Sequence, residues 1–239
     1  ILTTHAVYWP TMLLSAGIPL PKTIFAHGWW LSESSKMSKS IGNVVNPLDL
    51  IEKYGVDPVR YYLMREMVLG QDANFTMESF IKRYNSDLAN DFGNLLNRIS
   101  TLIKKNYEGL IPEQGSKTPD EEVVIESAEK LVNNMDKKIK QMKINDSIEE
   151  IMQFVRRINK YMEDQKPWIL VKEDKNMASR VLYTAGESIR IAAVLLSPVM
   201  PNRCAEVLHA FNSGKSTKWG ELKSGSQLND HNTLFPRIQ

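Results

Sequence analysis

The sequence predicts a mainly α-helical protein in which a short α/β segment is followed by a bundle of helices. Three observations predict this fold class. Residues 22–27 form a β-branched and aromatic run that is typical of a short strand. Asn46 and Asp57 each precede a proline, which is a common opening of a helix. From Thr76 onward, apolar residues recur at steps of three and four, which indicates helices with one buried face.

The α/β segment begins with a short apolar helix at residues 11–14, which we expect to end before Gly17. The predicted strand follows this helix. Two further helices come next in the sequence. Asn46 is expected to cap the first of them, which Gly55 ends, and Asp57 is expected to cap the second.

The helical part begins with one long amphipathic helix of about 30 residues. Asn145 and Asp146 are expected to form the turn and cap between two of the later helices, and Pro167 is expected to begin a short helix. The apolar face of the long helix consists of Phe80, Tyr84, Leu88, Phe92, Leu95, Ile99, Leu102 and Ile103. Further helices are expected at residues 120–142, 147–164, 178–196 and 202–211.

Composition sets limits on the class of protein. The chain has 239 residues and a formal net charge of +2, which is not the strong basic excess of many nucleic-acid binders. No apolar run approaches the roughly 20 residues that span a bilayer, and no signal peptide is recognised. The single cysteine, Cys204, predicts a reducing, cytoplasmic compartment. Cysteine and histidine spacing predicts no zinc site, and a start at Ile1 predicts a piece of a longer protein.

A lysine-rich loop follows the predicted strand and reads Lys36-Met37-Ser38-Lys39-Ser40. Two lysines in a loop of serines form a doubly cationic group that suits a polyphosphate. Such groups lower a barrier when they meet the negative charge that develops on a leaving pyrophosphate. The alternative for a single lysine pair is a solvated surface loop. The complete string, however, is expected by chance in only about one chain of this length in 10,000.

This string, called the lysine loop below, is similar to the second signature of class I aminoacyl-tRNA synthetases. The resemblance implies the end of a Rossmann-type catalytic domain in which Lys36 and Lys39 are catalytic. It also implies that these lysines and Ser38 bind ATP, which Mg²⁺ accompanies. The other signature of that family, His-x-Gly-His, is absent, and we expect it upstream of Ile1. The chain alone is therefore expected not to activate an amino acid.

Two stretches near the start resemble the methionyl-tRNA synthetase family. His5 and Trp9, four residues apart, match a pair that lines the methionine pocket in that family. Aromatic walls suit a thioether, although on spacing alone Trp9 would more often be a core residue. The stretch around His27 and Trp30 resembles the strand that contacts adenosine, which implies that both residues bind ATP.

A third resemblance lies in the helical part. Asn94 and Arg98 are one turn apart on the long helix, and Trp168 follows Pro167. In methionyl-tRNA synthetases, residues of these types bind the anticodon. Single-stranded RNA is commonly read in this way, by aromatic stacking and fixed polar groups. Without the resemblance, a solvated helix face and a packed tryptophan would be the more common interpretations.

The resemblance covers essentially the whole chain and implies its organisation. Residues 1–33 would end the catalytic domain, 34–75 would hold the lysine loop and a segment that contacts the tRNA stem, and 76–239 would form the anticodon-binding domain. The stretch Asp57-Pro58-Val59-Arg60-Tyr61 matches a family pattern in the middle segment. The resemblance implies that this stretch couples the lysine loop to the helix bundle. The implied partners are methionine, ATP and tRNA(Met), bound by a monomer.

The sequence leaves two other classes of function open. The isoleucine, leucine, valine and cysteine synthetases share the helical bundle and the lysine loop. A module that binds tRNA without chemistry is the second alternative. The lysines at 104–105 and 137–143 could meet phosphates, or they could form solvated helix faces.

Overall fold

The computed structural model describes residues 1–32, 34–38, 40 and 42–239. It confirms the predicted fold class, since a small sheet is followed by a bundle of helices. The sheet has the strand order β2-β1-β3, with β1 at Trp30–Ser32, β2 at Ser35–Lys36 and β3 at Ala73–Phe75. Strand β1 pairs antiparallel with β2 and parallel with β3. The lysine loop therefore begins at the edge strand of this sheet.

The first 30 residues bury no side chain against the rest of the described structure. A π-helical turn at Thr4–Tyr8 runs into α1 at Trp9–Ser15. The predicted strand at 22–27 was wrong, because pairing begins only at Trp30. A strand needs a neighbour for its backbone hydrogen bonds, and β3 provides one for residues 30–32.

Two helices connect β1 to β3. Helix α2 spans Pro47–Tyr54, and its predicted cap is confirmed because Asn46 Oδ1 accepts a hydrogen bond from Leu48 N at 3.1 Å. Gly55 ends α2 with a φ of 86°. The predicted cap at Asp57 was wrong.

Helix α3 spans Val56–Glu66 and so begins two residues earlier than a cap at Asp57 requires. Asp57 is 2% exposed, and its carboxylate accepts a hydrogen bond from the backbone N of Arg203 at 2.6 Å. The Asp57 carboxylate therefore binds a backbone N–H in the first turn of the helix that begins at Pro201, and not one of its own helix. This contact forms because α3 packs against the bundle at this point.

The predicted long helix is continuous from Met77 to Asn106. It consists of α4 at Met77–Arg83, a π-helical segment at Tyr84–Gly93 and α5 at Asn94–Asn106. Thr76 caps it by accepting a hydrogen bond from Ser79 N. The remaining helices are α6 at Pro119–Lys140, α7 at Ile144–Gln165, α8 at Pro167–Glu173, α9 at Lys175–Leu196 and α10 at Pro201–Ala210.

The turn between α6 and α7 lies earlier than predicted. Asn145 and Asp146 are in the first turn of α7 rather than before it. The chain reverses at Met142, which adopts a left-handed conformation with a φ of 58°. Asp146 inside the first turn still interacts favourably with the positive end of the helix dipole. The aspartate therefore marks the start of α7, although the helix begins a few residues before the predicted position.

The bundle has a large apolar core centred on α9, whose residues from Val181 to Ala193 are all buried. A second, smaller core lies beneath the lysine loop. It is formed by Val59, Tyr62, Phe75 and Phe80, with Trp30 and Met37 packed against it. This small core joins the sheet, α3 and the start of the long helix.

The C-terminal tail returns to both cores. Asn85 exchanges two hydrogen bonds of 2.9 Å with the backbone of Ile238, which packs against each core. Phe235 is buried and meets Tyr84 edge-on. In the part of the chain that the structure describes, no helix combines the length and apolarity needed to cross a bilayer.

Candidate functional site

The lysine loop is anchored at its methionine and leaves its first lysine outside. Met37 packs against the small core, whereas Lys36 is exposed at the end of β2. Lys36 Nζ lies 4.4 Å from the centre of the Trp29 ring, which is a cation–π distance. Lys39, the second predicted catalytic lysine, lies outside the described residues.

Asn43 closes this loop with both ends of its side chain. Its Oδ1 accepts from Ser38 N at 2.8 Å, and its Nδ2 donates to Lys36 O at 3.2 Å. Gly42 N donates to Ser38 O at 3.1 Å, and Gly42 has a φ of 77° that suits glycine. The result is a short loop with an ammonium group and hydroxyl groups at its surface, which can interact with an anion.

Trp29 is held in place through its backbone. Trp29 N donates to Asp72 Oδ1 at 2.7 Å, and Trp29 O accepts from Ala73 N at 2.8 Å. A Cβ atom on the preceding Gly28 would lie 2.0 Å from Gln71 O, so no larger residue fits there without displacing the backbone. Trp29 lies within the stretch that resembles the adenosine-contacting strand but was given no role there, and Asp72 matches no motif.

The two predicted adenosine contacts flank Trp29. His27 is exposed, and its Nδ1 donates to Gly28 O at 2.8 Å, which leaves Nε2 as an acceptor. Trp30 is half-buried in β1, and its ring centre lies 6.0 Å from that of Tyr62. The structure therefore places both residues on the same segment as Trp29, beside the lysine loop.

The predicted methionine pair lies on the exposed N-terminal helix. His5 and Trp9 are one turn apart and line a shallow groove of about 400 Å³ with Thr4, Tyr8 and Met12. Trp9 is 42% exposed, so it is not the core residue that its spacing alone would favour. The groove has one wall in the described structure, which is the helix itself.

The structure brings two of the three predicted anticodon residues into contact. The guanidinium carbon of Arg98 lies 5.1 Å from the centre of the Trp168 ring. Lys166 takes a left-handed conformation, with a φ of 49°, and this sharp turn starts α8, whose second residue is Trp168. Asn94 is exposed one turn before Arg98 on α5.

These three side chains form a surface that we call the Trp168 face, consisting of Asn94, Arg98 and Trp168. Arg98 Nη2 also donates to the exposed Glu163 at 2.8 Å, a partner that sequence analysis missed. A half-buried indole covered by a guanidinium group offers a flat stacking surface and hydrogen-bond donors at its edge. That chemistry suits an unpaired base.

A network of charged side chains lies between the lysine loop and the Trp168 face. Buried Asp87 in the π-helical segment accepts a hydrogen bond from Tyr61 Oη at 2.8 Å and forms an ion pair with Arg83 at 3.4 Å. Burial, together with the Asp87 carboxylate, raises the pKa of Tyr61 well above its usual value. Arg65 of α3 pairs with Glu149 of α7. Tyr61 and Asp87, and likewise Arg65 and Glu149, lie far apart in sequence, so these two contacts left no local sequence signal.

Arg60 adds a second tie between α3 and the bundle. Its guanidinium group donates to the backbone oxygens of Pro198 and Val199, at 2.8 and 3.0 Å. Asp57, Arg60 and Tyr61 of the predicted coupling motif therefore each bind a residue of the bundle. The motif fixes the small sheet to the helices.

Two further observations concern ions. Among the residues that the structure describes, no cluster of three histidine, cysteine or acidic side chains could hold a metal ion. Of the basic stretches, Lys104 pairs with Asp230 at 2.5 Å, Lys138 with Glu150 at 2.5 Å and Lys140 with Asp136 at 2.6 Å. These three lysines form ion pairs within the chain.

Two family models match the chain. Residues 1–100 match the model described as tRNA synthetases class I (M), and residues 111–238 match the anticodon binding domain of methionyl tRNA ligase. The chain is 40% identical to the methionine–tRNA ligase of Caldanaerobacter subterraneus over 246 residues, covering all of this chain and 39% of that protein. It is also 40% identical to the methionine–tRNA ligase of Bacillus subtilis over 251 residues, covering 38% of that protein.

Solved structures give the same result. Mycobacterium tuberculosis methionyl-tRNA synthetase in complex with methionyl-adenylate superposes with a TM-score of 0.94 at 36% identity, covering 99% of this chain and 48% of that one. The free form of that enzyme gives a TM-score of 0.92 at 34% identity. The chain thus spans about two fifths of the length of the curated relatives it matches.

Proposed function

Since the chain belongs to the methionyl-tRNA synthetase family, we propose that it supplies two parts of such an enzyme. One is the loop that holds the phosphates of ATP, and the other is the helical face that reads the anticodon of tRNA(Met). The observation that carries the proposal is the contact of the Arg98 guanidinium group with the Trp168 ring, on a chain that also presents Lys36 at the edge of a sheet. A protein that only bound RNA would not need the lysine loop.

The proposed reaction has two steps. The carboxylate of methionine attacks the α-phosphorus of ATP, which forms methionyl-adenylate and releases pyrophosphate. Lys36 and Lys39 stabilise the charge on the departing pyrophosphate, and Ser38 donates a hydrogen bond to it. The terminal ribose hydroxyl of the tRNA then takes the methionyl group and releases AMP. Charge stabilisation and positioning supply most of the rate enhancement.

The placement of four side chains supports the proposed substrate contacts. We assign His27 and Trp30 to the adenosine of ATP, because both lie on the segment next to the lysine loop. His5 and Trp9 are assigned to methionine, with the thioether against the indole. Mg²⁺ would arrive bound to the phosphates of ATP, as is usual for this ion.

The proposed domain organisation follows the three expected segments. Residues 1–33 complete the catalytic domain, 34–75 carry the lysine loop and contact the tRNA stem, and 76–239 bind the anticodon. The full enzyme is proposed to act as a monomer in the cytoplasm. The exposed apolar groove beside Trp9 supports a catalytic domain larger than these residues, because a methionine pocket needs a second wall.

The purified 239-residue chain is expected to show no methionine-dependent exchange of pyrophosphate into ATP. His5 and Trp9 line only one wall of a groove, and the His-x-Gly-His signature is absent from the chain. Exchange of labelled pyrophosphate, measured beside a complete methionyl-tRNA synthetase as the positive control, tests this. Turnover by the purified chain, abolished in a Lys36→Met variant, would refute it.

Replacing Trp168 by alanine is expected to weaken binding of tRNA(Met) to this chain by about 1–3 kcal/mol, the range for lost base stacking. Fluorescence anisotropy with a labelled tRNA measures the change. Trp168→Phe is the matched control, because it keeps an aromatic plane at the same position. The assignment fails if alanine leaves the affinity unchanged while circular dichroism shows a folded protein.

A further inference from the structure

The Trp168 face continues along α5 to a second pair of a cation and an aromatic ring. At the far end of α5, Lys175 Nζ lies 5.1 Å from the centre of the Tyr107 ring. Helix α8 connects the two pairs, since it starts with Trp168 beside Arg98 and leads into Lys175 beside Tyr107. At 1.5 Å per residue, the nine residues between Arg98 and Tyr107 extend about 14 Å. We call the surface between the pairs the α5–α8 groove.

The second pair is fixed by the backbone rather than by the lysine side chain. Tyr107 Oη donates to Lys175 O at 2.9 Å and accepts from Ser179 Oγ at 3.2 Å. The neighbouring Asp174 carboxylate accepts from the backbone N of Asn176 and of Met177, each at 3.0 Å, because it caps α9. The Asp174 carboxylate therefore binds the first turn of α9.

The Lys175 ammonium group is available to an anion. No carboxylate of the described residues lies within ion-pair distance of its Nζ, and the residue is exposed. An exposed cation–π contact is weak, so the ammonium group can leave the ring for a phosphate at little cost. Lysine binds phosphate as a mobile point charge.

Two further lysines lie on the same surface as Lys175. Lys105 lies two turns after Arg98 on the same face of α5, and Lys172 is exposed on α8. Neither forms an ion pair with a described residue. Glu163 is paired with Arg98, whereas Glu108, Glu173 and Asp174 keep their negative charges. The proposed phosphate contact therefore rests on the position of Lys175 and not on a net positive charge.

We propose that the α5–α8 groove binds the sugar–phosphate backbone of the RNA strand whose base stacks on Trp168, with Lys175 as its phosphate contact. The identity of this RNA as the anticodon arm of a tRNA rests on the function proposed above. Aromatic stacking combined with cations that follow the backbone is the common way in which proteins hold single-stranded RNA. The Trp168 face selects the bases, and Lys175 supplies affinity that does not depend on sequence.

The test is the salt dependence of tRNA binding by a Lys175→Ala variant of this chain. Loss of one phosphate contact is expected to reduce the slope of log K against log salt by about 0.7, the value for a single strand. Binding at low salt is expected to weaken several-fold, and by the same factor for tRNA(Met) and for a tRNA(Met) with an altered anticodon. Tyr107 keeps its hydrogen bond, because that bond goes to the backbone of residue 175.

Lys130→Ala is the matched control, since Lys130 is an exposed helical lysine of α6. The inference is overturned if Lys175→Ala keeps the slope of the unmodified chain, or if Lys130→Ala lowers the slope equally. Trp168→Ala separates the two proposals. If only Trp168→Ala loses affinity, anticodon recognition by Trp168 is supported and the phosphate contact proposed for Lys175 is refuted. A loss in Lys175→Ala alone would support the groove as a phosphate site and refute anticodon recognition by Trp168.

Discussion

Replacing Arg190 by methionine is expected to lower the free energy of unfolding of this chain by about 3–5 kcal/mol, the usual cost of removing one partner of a buried ion pair. Arg190 and Glu187 of α9 are both 0% exposed and meet at 2.7 Å. Glu187 also accepts hydrogen bonds from the backbone N of Gly220, Glu221 and Leu222. Without Arg190, a carboxylate would remain buried without its countercharge.

Arg190 also holds the tail that covers α9. Its guanidinium group donates to the backbone oxygens of Ser216 and Lys218, at 2.5 and 2.7 Å. Loss of the side chain therefore leaves two carbonyl groups without a donor as well as an isolated charge. The tail is expected to loosen before the bundle unfolds, and hydrogen exchange at residues 220–222 would detect this.

Urea denaturation followed by circular dichroism gives the free energy of unfolding. Lys140→Met is the matched control, because Lys140 forms an i,i+4 pair with Asp136 in which both side chains are 73% exposed. An exposed pair of this kind contributes less than about 1 kcal/mol. Equal losses in the two variants would contradict the role assigned to burial.

Replacing Lys36 by methionine is expected to lower the rate of adenylate formation by about 10²–10³-fold, the usual effect of removing one group that stabilises developing charge. The measurement is methionine-dependent pyrophosphate exchange in an enzyme that contains this chain and the remainder of a catalytic domain. Because the ammonium group is proposed to act on the leaving pyrophosphate, the rate constant should fall more than the affinity for ATP. Lys36→Arg keeps the charge and should retain part of the rate.

Lys53→Met is the control for this second experiment. Lys53 lies over the ring of Tyr54 on α2, at 5.1 Å, which resembles the contact between Lys36 and Trp29. It is outside the lysine loop, and its loss should leave the exchange rate unchanged. If Lys36→Met exchanged pyrophosphate as fast as Lys53→Met, the lysine loop would have no part in catalysis.

Sequence patterns predicted the long helix and the helices of the bundle well, because their apolar residues repeat with the helical period over many turns. The cap at Asn46 was also predicted, since capping depends on neighbours two or three residues away. The strand at 22–27 failed for the opposite reason. Strand formation depends on a partner, and β3 lies about 40 residues further along the chain.

The candidate site was predictable only in part. The contact between Arg98 and Trp168 joins residues 70 positions apart, and resemblance to a family rather than periodicity selected them. Asp57 looked like a helix cap, yet its carboxylate binds the start of α10. Asp72 and Glu163 belong to no motif, and the contacts of Trp29 with Asp72 and Lys36 were not predicted, because these contacts depend on how the fold brings the segments together.

Under the function proposed above, the continuous helix from Met77 to Asn106 has a consequence for the size of RNA that the enzyme uses. At its start it packs under the lysine loop, and near its end it carries Arg98. The stretch from Met77 to Arg98 forms a rod of roughly 30 Å between these two features. A short hairpin that reproduced the loop nucleotides could occupy one end of this rod without reaching the other. Under the proposed function, the enzyme therefore selects an RNA by its overall length as well as by the nucleotides of its loop.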